Sequence, residues 1–262
     1  IKLETGEYIK SSVSIESNDT VLFFMQNGNY YHYNAAAIPI GEKVPAQALF
    51  AMEDWENICA VASLNKKSEK ENILFFTKNG IVKKSLLSEY NTKRSTAMKA
   101  LNLDAGDEII SVIFTNKEKV GLLTEMGNFI IIETDDIRPI GRVARGVKAM
   151  KLNDGDYIVS GRPIPAATKF IVSVSGEGLI KKTPYSEFTV QGKNTKGAKL
   201  QKLTDSDWMA DFMPLAAETE ILVNATTSCI KMNVNEIPEF GRGAQGNKAI
   251  KLTAKNNVVG LS

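Results

Sequence analysis

The segment that sets the architecture of this 262-residue chain is Ile73-Leu74-Phe75-Phe76-Thr77-Lys78-Asn79-Gly80-Ile81-Val82-Lys83-Lys84. Apolar residues lead into an Asn-Gly turn and a second β-prone run leads out, a pattern that predicts a β-hairpin. The same shape returns at residues 21–28, 121–127 and 171–178, and in a degenerate form at 221–228.

The turn positions of the five copies recur at a nearly fixed period. Gly28, Gly80, Gly127, Gly178 and Ser228 are 52, 47, 51 and 50 residues apart. A period near 50 residues with β-type units indicates a propeller-like array, in which each unit buries its faces against its neighbours. We therefore predict one all-β domain over residues 1–262, with repeats at roughly 1–20 (partial), 21–72, 73–119, 120–169, 170–220 and 221–262.

Each full unit continues beyond its hairpin in the same order: a loop rich in glycine and basic residues, a short strand, an acidic turn and a closing strand. Together with the hairpin this makes four strands per unit, so we expect five to six four-stranded blades. Residues 2–9 match residues 151–158, which end a loop and lead into a closing strand. We therefore expect the chain to start partway through a unit and to be a piece of a longer protein.

Composition excludes several classes of function. No apolar run approaches the roughly 18 residues of a membrane span, and the single histidine, His32, argues against a zinc site or a histidine-based triad. Cys59 and Cys229 have no metal-binding spacing, and we interpret them as small buried side chains in a reducing cytoplasm. We predict no catalytic residue, metal or cofactor.

Charge follows the repeat. The net charge is +2, but residues 1–72 carry −4 and the remainder +6. Acidic residues gather in the late turn of each unit, whereas basic residues gather in the returning hairpin strand and in the loop. The returning-strand set is Lys83, Lys84, Lys181, Lys182 and Lys231; the loop set is Lys93, Arg94, Arg142, Arg145, Lys148, Lys193, Lys196, Lys199, Arg242 and Lys248.

Basic groups at equivalent positions of stacked units predict a basic band along one rim. Duplex DNA suits such a band because it carries about one charge per 1.7 Å of its axis, and glycine in the loops lets the main chain approach phosphates. The sequence lacks the aromatic-basic interleaving of single-strand binders. The first full unit should contribute least, because its loop offers Lys43 beside Glu42. An ordinary solvated surface is the alternative explanation of the charge.

Four stretches resemble one known family, the C-terminal domain of the A-type subunit of bacterial type IIA topoisomerases (DNA gyrase and topoisomerase IV). They are Phe75–Lys84, Gly141–Met150, Lys181–Phe188 and Phe240–Gly246, and the likeness extends over essentially the whole chain. The resemblance implies a β-pinwheel, a propeller-like fold whose neighbouring blades exchange strands. It also implies a domain that bends duplex DNA around a basic outer rim and presents it for strand passage.

The same resemblance implies the partners and the cell compartment. They are double-stranded DNA, an upstream breakage-reunion domain of the same chain, and a B-type ATPase subunit, in the bacterial cytoplasm at the nucleoid rather than at a membrane. The parent would be an ATP-dependent type II topoisomerase whose catalytic tyrosine lies in the upstream region, so the fragment itself should not be an enzyme.

A basic heptad that gyrases carry separates them from topoisomerase IV. It resembles Gln-Arg-Arg-Gly-Gly-Lys-Gly and would precede the segment that matches Lys2-Leu3, where this chain begins. Its nearest internal echo, Gln191–Gly197, we interpret as the ordinary loop of the fourth unit. We favour gyrase, but the choice between the two stays open.

Two other classes of function compete with DNA wrapping. A propeller that docks proteins has a similar period, but it does not explain why lysine and arginine follow the repeat. An enzyme that uses a central channel would need a nucleophile-base grouping near one end of the strands, and none recurs.

Overall fold

All five predicted hairpins are present in the structure, a computed structural model that describes residues 11–53, 56–65, 68, 71–92, 94, 96–115, 118–248, 252 and 256–262. The strands are, in chain order, β1 (Thr20–Met25), β2 (Asn29–Asn34), β3 (Ile58–Leu64), β4 (Asn72–Thr77), β5 (Ile81–Leu86), β6 (Met98–Lys99), β7 (Ile109–Thr115), β8 (Lys119–Thr124), β9 (Asn128–Glu133), β10 (Val147–Lys148), β11 (Ile158–Ile164), β12 (Phe170–Ser175), β13 (Leu179–Pro184), β14 (Ala198–Lys199), β15 (Met209–Leu215), β16 (Glu220–Ala225), β17 (Ser228–Asn233), β18 (Asn247–Lys248) and β19 (Val258–Leu261).

Short 3-10 turns are the only helical segments among these described residues, at Ala35–Ala37, Ala46–Ala48, Leu87–Tyr90, Thr134–Asp136, Tyr185–Glu187 and Val234–Glu236. The all-β prediction is therefore confirmed. No helix in the described part of the chain is long and apolar enough to cross a membrane.

The hairpin turns explain the repeated glycine. Strand β4 ends at Thr77 and β5 begins at Ile81, and the Gly80 N–H donates to the Thr77 carbonyl at 3.0 Å. Gly80 has φ of 80°, which glycine adopts without strain, so the connection is a three-residue loop closed by a left-handed glycine. The fifth copy lacks glycine and is shorter, because Ala225 pairs with Ser228 across a two-residue turn.

Neighbouring repeats exchange a strand. The four complete sheets have the orders β3-β1-β2-β6, β10-β5-β4-β7, β11-β8-β9-β14 and β15-β12-β13-β18. In each, a closing strand and a hairpin come from one unit, while the two-residue edge strand (β6, β10, β14 or β18) comes from the loop of the next unit. The fifth sheet, β17-β16-β19, has three strands among the described residues rather than the four that we predicted.

Within the described part of the chain, two compact units are distinguished by their internal contacts. Unit A consists of residues 11–115 and 137–148 and holds the first two sheets; unit B consists of residues 118–136 and 149–262 and holds the other three. That residues 1–262 form a single domain with the repeat boundaries given above stays a prediction.

In unit A, the core lies between the first two sheets and is rich in aromatic rings. Phe24 from β1 meets Phe75 from β4 edge-on at 5.3 Å between ring centroids, and Tyr30 meets Tyr90 at the same distance. All four rings are almost completely buried. Edge-on pairs of this kind contribute about 0.5–1.5 kcal/mol beyond the burial of their area.

In unit B, apolar residues from adjacent sheets pack in the same way. Phe129 of the third sheet meets Phe212 of the fourth at 4.9 Å, and Val172 of the fourth packs in one cluster with Ile221 of the fifth. The stacking that the small size of each repeat demanded is therefore present inside both units.

A buried carboxylate also joins three strands of unit B. Asp211 on β15 accepts hydrogen bonds from Ser160 Oγ (2.6 Å) and Arg162 Nη2 (2.5 Å) on β11, and from the Leu261 N–H (2.9 Å) on β19.

The two cysteines differ from the sequence-based interpretation. Cys59 is half-buried in β3, but Cys229 is exposed on β17, so the interpretation of both as buried side chains is wrong for Cys229. Strand β17 ends its sheet and no exchanged strand covers it among the described residues, which leaves this side chain in solvent.

Candidate nucleic-acid interface

Every exchanged strand carries an exposed lysine as its second residue. These residues are Lys99, Lys148, Lys199 and Lys248. In the strand register, each faces the residue that directly follows the turn glycine of the sheet it joins. The exchange therefore places one ammonium group beside the hairpin turn of each of the four complete sheets.

The sequence-based site set contained three of these lysines and missed Lys99. Its signal was present, because Lys99-Ala100 occupies the place of Lys148-Ala149 and Lys199-Leu200 in the repeat. The loop before Lys99 lacks the Gly-Arg pattern that drew attention to the others.

Acidic residues line the opposite edge of the same sheets. The carboxylate of Asp107 accepts the Asn79 N–H at 2.9 Å, and that of Asp156 accepts the Met126 N–H at 3.0 Å, so each caps the hairpin turn beside its closing strand. Asp207 does the same for the fourth hairpin. The exchanged strand and the closing strand are three strand spacings apart, about 14 Å. This separation is the structural basis of the charge pattern in the sequence.

Two loops of like sequence lead into β10 and β18. In Gly141–Gly146 the Ala144 N–H donates to the Gly141 carbonyl at 3.0 Å, and in Gly241–Gly246 the Ala244 N–H donates to the Gly241 carbonyl at 3.2 Å. Gly146 has φ of 99°, and a Cβ there would lie 2.4 Å from the Val82 carbonyl oxygen. The loop main chain thus lies directly against the strand it covers, and glycine is required for that approach.

The arginines of the first of these loops are held by neighbours. Arg142 is half-buried; its Nη1 donates to the Lys99 carbonyl at 2.9 Å and its guanidinium lies 5.8 Å from the centroid of the Tyr30 ring. Arg145 is exposed and forms a two-bond ion pair with Asp104, whose pKa is lowered by this contact. Its charge is therefore already partly matched before any ligand arrives.

The loop 191–197 is built differently. Its main chain is attached by the Asn194 N–H, which donates to the Ala149 carbonyl at 2.7 Å, and Asn194 takes a left-handed φ of 64°. Lys193 Nζ donates to the Asp136 carbonyl and Lys199 Nζ to the Met126 carbonyl, while Lys196 is exposed. The segment that echoes the gyrase heptad is thus the loop leading into β14, as predicted.

The remaining predicted residues have mixed surroundings. Arg94, Arg242 and Lys248 are exposed, and Lys231 is exposed but paired with Glu220 at 2.7 Å. Lys93 lies outside the described residues.

Four lysines of the returning strands are not where a DNA-facing set must be. Lys83 and Lys181 have no exposed surface, and Lys84 and Lys182 retain only 5% and 8% of theirs. Strands β5 and β13 lie inside their sheets, and the incoming loops cover them, so no phosphate can reach Lys83 or Lys181. The prediction that this pair contacts DNA is wrong, and Lys84 and Lys182 offer almost no surface for contact. Burial lowers the pKa of Lys83 to about 7 and that of Lys181 to about 8.

Strand exchange also changes which sheet is basic. The loop and lysine that the repeat assigned to the second unit lie on the first sheet, so that sheet receives Lys99 and its neighbour Arg142. The sheet that receives no exchanged lysine among the described residues is the fifth. The premise that the first unit is the least basic therefore does not hold for its sheet.

Comparison with known proteins gives a consistent result. A family model described as DNA gyrase C-terminal domain, beta-propeller, matches residues 71–116, 122–165, 169–216 and 228–262. The A-type DNA gyrase protein of Helicobacter pylori strain 26695 is 30% identical over 95% of this chain, and that of Salmonella typhimurium is 28% identical over 99%. The chain spans 31% and 30% of the lengths of these relatives.

Solved structures resemble the fold of this chain. The crystal structure of the C-terminal domain of DNA topoisomerase IV has a TM-score of 0.88 at 24% identity, covering 94% of this chain and 79% of that one. The DNA gyrase A C-terminal domain has a TM-score of 0.80 at 20% identity, covering 94% and 83%. The fold is thus that of the β-pinwheel domains.

Proposed function

Because this chain belongs to the DNA gyrase C-terminal domain family, we propose that it binds and bends duplex DNA of any sequence without cleaving it. In this proposal it presents the bent segment for strand passage by a bacterial type IIA topoisomerase. We favour gyrase over topoisomerase IV, since the curated relatives that match the chain are A-type gyrase proteins.

The observation that carries the proposal is the exposed lysine on each exchanged strand. Four ammonium groups at one structural position, beside four hairpin turns, suit the regularly spaced phosphates of a duplex. The exposed Arg94, Lys196 and Arg242 lie in the loops that lead into three of these strands. Removing one of these contacts should weaken binding to all duplexes alike.

Binding without base readout follows from the elements that the fold provides. No α-helix of the kind that enters a major groove is present in the described part of the chain. Bending a short duplex costs several kcal/mol, so many phosphate contacts must share that cost. Repeated contacts on successive sheets provide such sharing.

The larger protein in this proposal is an ATP-dependent type II topoisomerase. Its partners would be a breakage-reunion domain upstream in the same chain and a B-type ATPase subunit, in the bacterial cytoplasm at the nucleoid. The relatives' threefold greater length supports a further domain in the same chain. Catalysis would lie there, and this domain would need no cofactor.

The test is fluorescence energy transfer between the ends of a duplex of about 30–40 bp, less than one persistence length. We expect the ends to approach when the protein binds. Lys248→Glu should weaken binding and flatten the slope of log affinity against log salt by at least about one unit. The matched control is Lys169→Glu, which is exposed in the same fourth sheet but about 20 Å from the turn, at the start of β12.

Equal effects of Lys248→Glu and Lys169→Glu would contradict the proposed contact surface. Binding without approach of the duplex ends would contradict bending. Complete absence of duplex binding would instead favour a protein-docking propeller.

A further inference from the structure

Lys83 connects the interior of its sheet to the loop that covers it. Its Nζ lies 3.0 Å from the Tyr90 hydroxyl and 2.5 Å from the Ala100 carbonyl, and it donates a further hydrogen bond to the carbonyl of Arg142. The side chain has no exposed surface. The ammonium therefore fixes the peptide of the same residue whose guanidinium projects towards the surface.

Lys181 repeats this arrangement in unit B. It is the third residue after its turn glycine, as Lys83 is, and it is equally buried. Its Nζ donates to the Gly241 carbonyl at 2.7 Å, one residue before the exposed Arg242. Both buried lysines thus hold a loop of the pattern Gly-Arg-X-Ala-X-Gly.

The third sheet supplies a natural comparison. Its residue at the same position is Ile130, and the loop that covers it, 191–197, does not have the Gly-Arg pattern. Main-chain hydrogen bonds attach that loop instead, from Gln191 to Ile131 and from Lys151 to Thr195. The buried lysine therefore occurs with the Gly-Arg loop and is absent where that loop is absent.

We propose that Lys83 and Lys181 are positioning residues of the DNA interface, each holding the main chain of a Gly-Arg loop so that its arginine meets phosphate. The proposal rests on the proposed function of the domain. An apolar replacement leaves the loop carbonyl without its donor, which is costly in a buried place and frees the loop to move. Arginine must then be ordered at the moment of binding, and ordering a side chain and its loop costs affinity.

The experiment compares Lys83→Met, Arg142→Ala and the double variant in duplex binding at two salt concentrations. If Lys83 acts through Arg142, both single variants should flatten the slope of log affinity against log salt by about 0.9, and the double variant should be no worse than Arg142→Ala. Between 50 and 200 mM salt, a slope change of 0.9 changes the ratio of affinities about 3.5-fold. Ile130→Met, at the equivalent position, should change neither affinity nor slope.

Each outcome has a separate meaning. If Arg142→Ala leaves binding and slope unchanged, the proposed DNA contact of this loop fails. If Arg142→Ala lowers both but a folded Lys83→Met does not, or if the losses add in the double variant, the positioning role is overturned. Should Lys83→Met not fold, Lys181→Met with Arg242→Ala in unit B applies the same criteria.

Discussion

The buried charge of Lys83 should make the stability of the domain depend on pH in a defined direction. Burial lowers its pKa from the ordinary 10.5 to about 7; Glu89 opposes the shift and Arg142 adds to it. Between these two values the unfolded chain holds a proton that the folded chain has released. Stability contributed by this residue therefore rises as the pH increases from about 7 to about 10.5.

The magnitude follows from one proton. Each pH unit in this window adds about 1.4 kcal/mol to the unfolding free energy of the wild type, or about 3–4 kcal/mol between pH 7 and pH 10. Lys83→Met removes this term. Because other titrating groups are common to both proteins, the wild type should gain on the variant by that amount as the pH rises.

Urea unfolding of both proteins at pH 7, 8, 9 and 10, followed by circular dichroism, measures this difference. Coincident transitions by a second probe establish that the free energies are defined. Ile130→Met controls for burying methionine at this position and should differ from the wild type by a constant amount. A difference between Lys83→Met and the wild type that does not change with pH would refute the reasoning, because it would mean that burial leaves the pKa of Lys83 unshifted.

Two further substitutions test the turn cap and the loop approach. Asp156→Ala removes the carboxylate that caps the Met126 N–H and should cost about 1–3 kcal/mol in thermal or urea unfolding; Asp154→Ala, an exposed residue of the same turn, should cost little, and equal costs would contradict the capping role. Gly146→Ala should destabilise unit A and weaken duplex binding, since a Cβ meets a carbonyl at a left-handed φ, at a strain of about 1–3 kcal/mol. Gly141→Ala has open space and should be tolerated; a similar loss there would contradict the argument.

The hairpins could be predicted because their information is local. The apolar run before Lys78-Asn79-Gly80 and the glycine at the turn act over a few residues, and the repeat multiplies the signal five times. The fold class and the family followed from this. The degenerate fifth copy shows the same logic, since the loss of its glycine accompanies a two-residue turn at Thr226-Thr227.

The candidate interface was predictable only in part. Lys148, Lys199 and Lys248 stand out because they follow glycine-rich loops, and all three are exposed beside a turn. Lys99 escaped notice because its loop lacks that composition. Charge and repeat phase identified most of the residue types, but the exposure of each side chain is not a local property.

The amino-acid sequence by itself determined where the hairpins lie, where their turns close and which charges recur, because these depend on neighbours within a few residues. Only the tertiary structure decided which side chains reach solvent. Lys83 and Lys84 would face opposite sides of an isolated strand, yet both are buried, because β5 is an inner strand and a loop more than fifty residues away covers it. The exchanged strands that create this cover are two residues long, too short for any local signal. Their partners are chosen by packing between repeats, and that packing made Lys83 an interior anchor and Lys99 a surface charge.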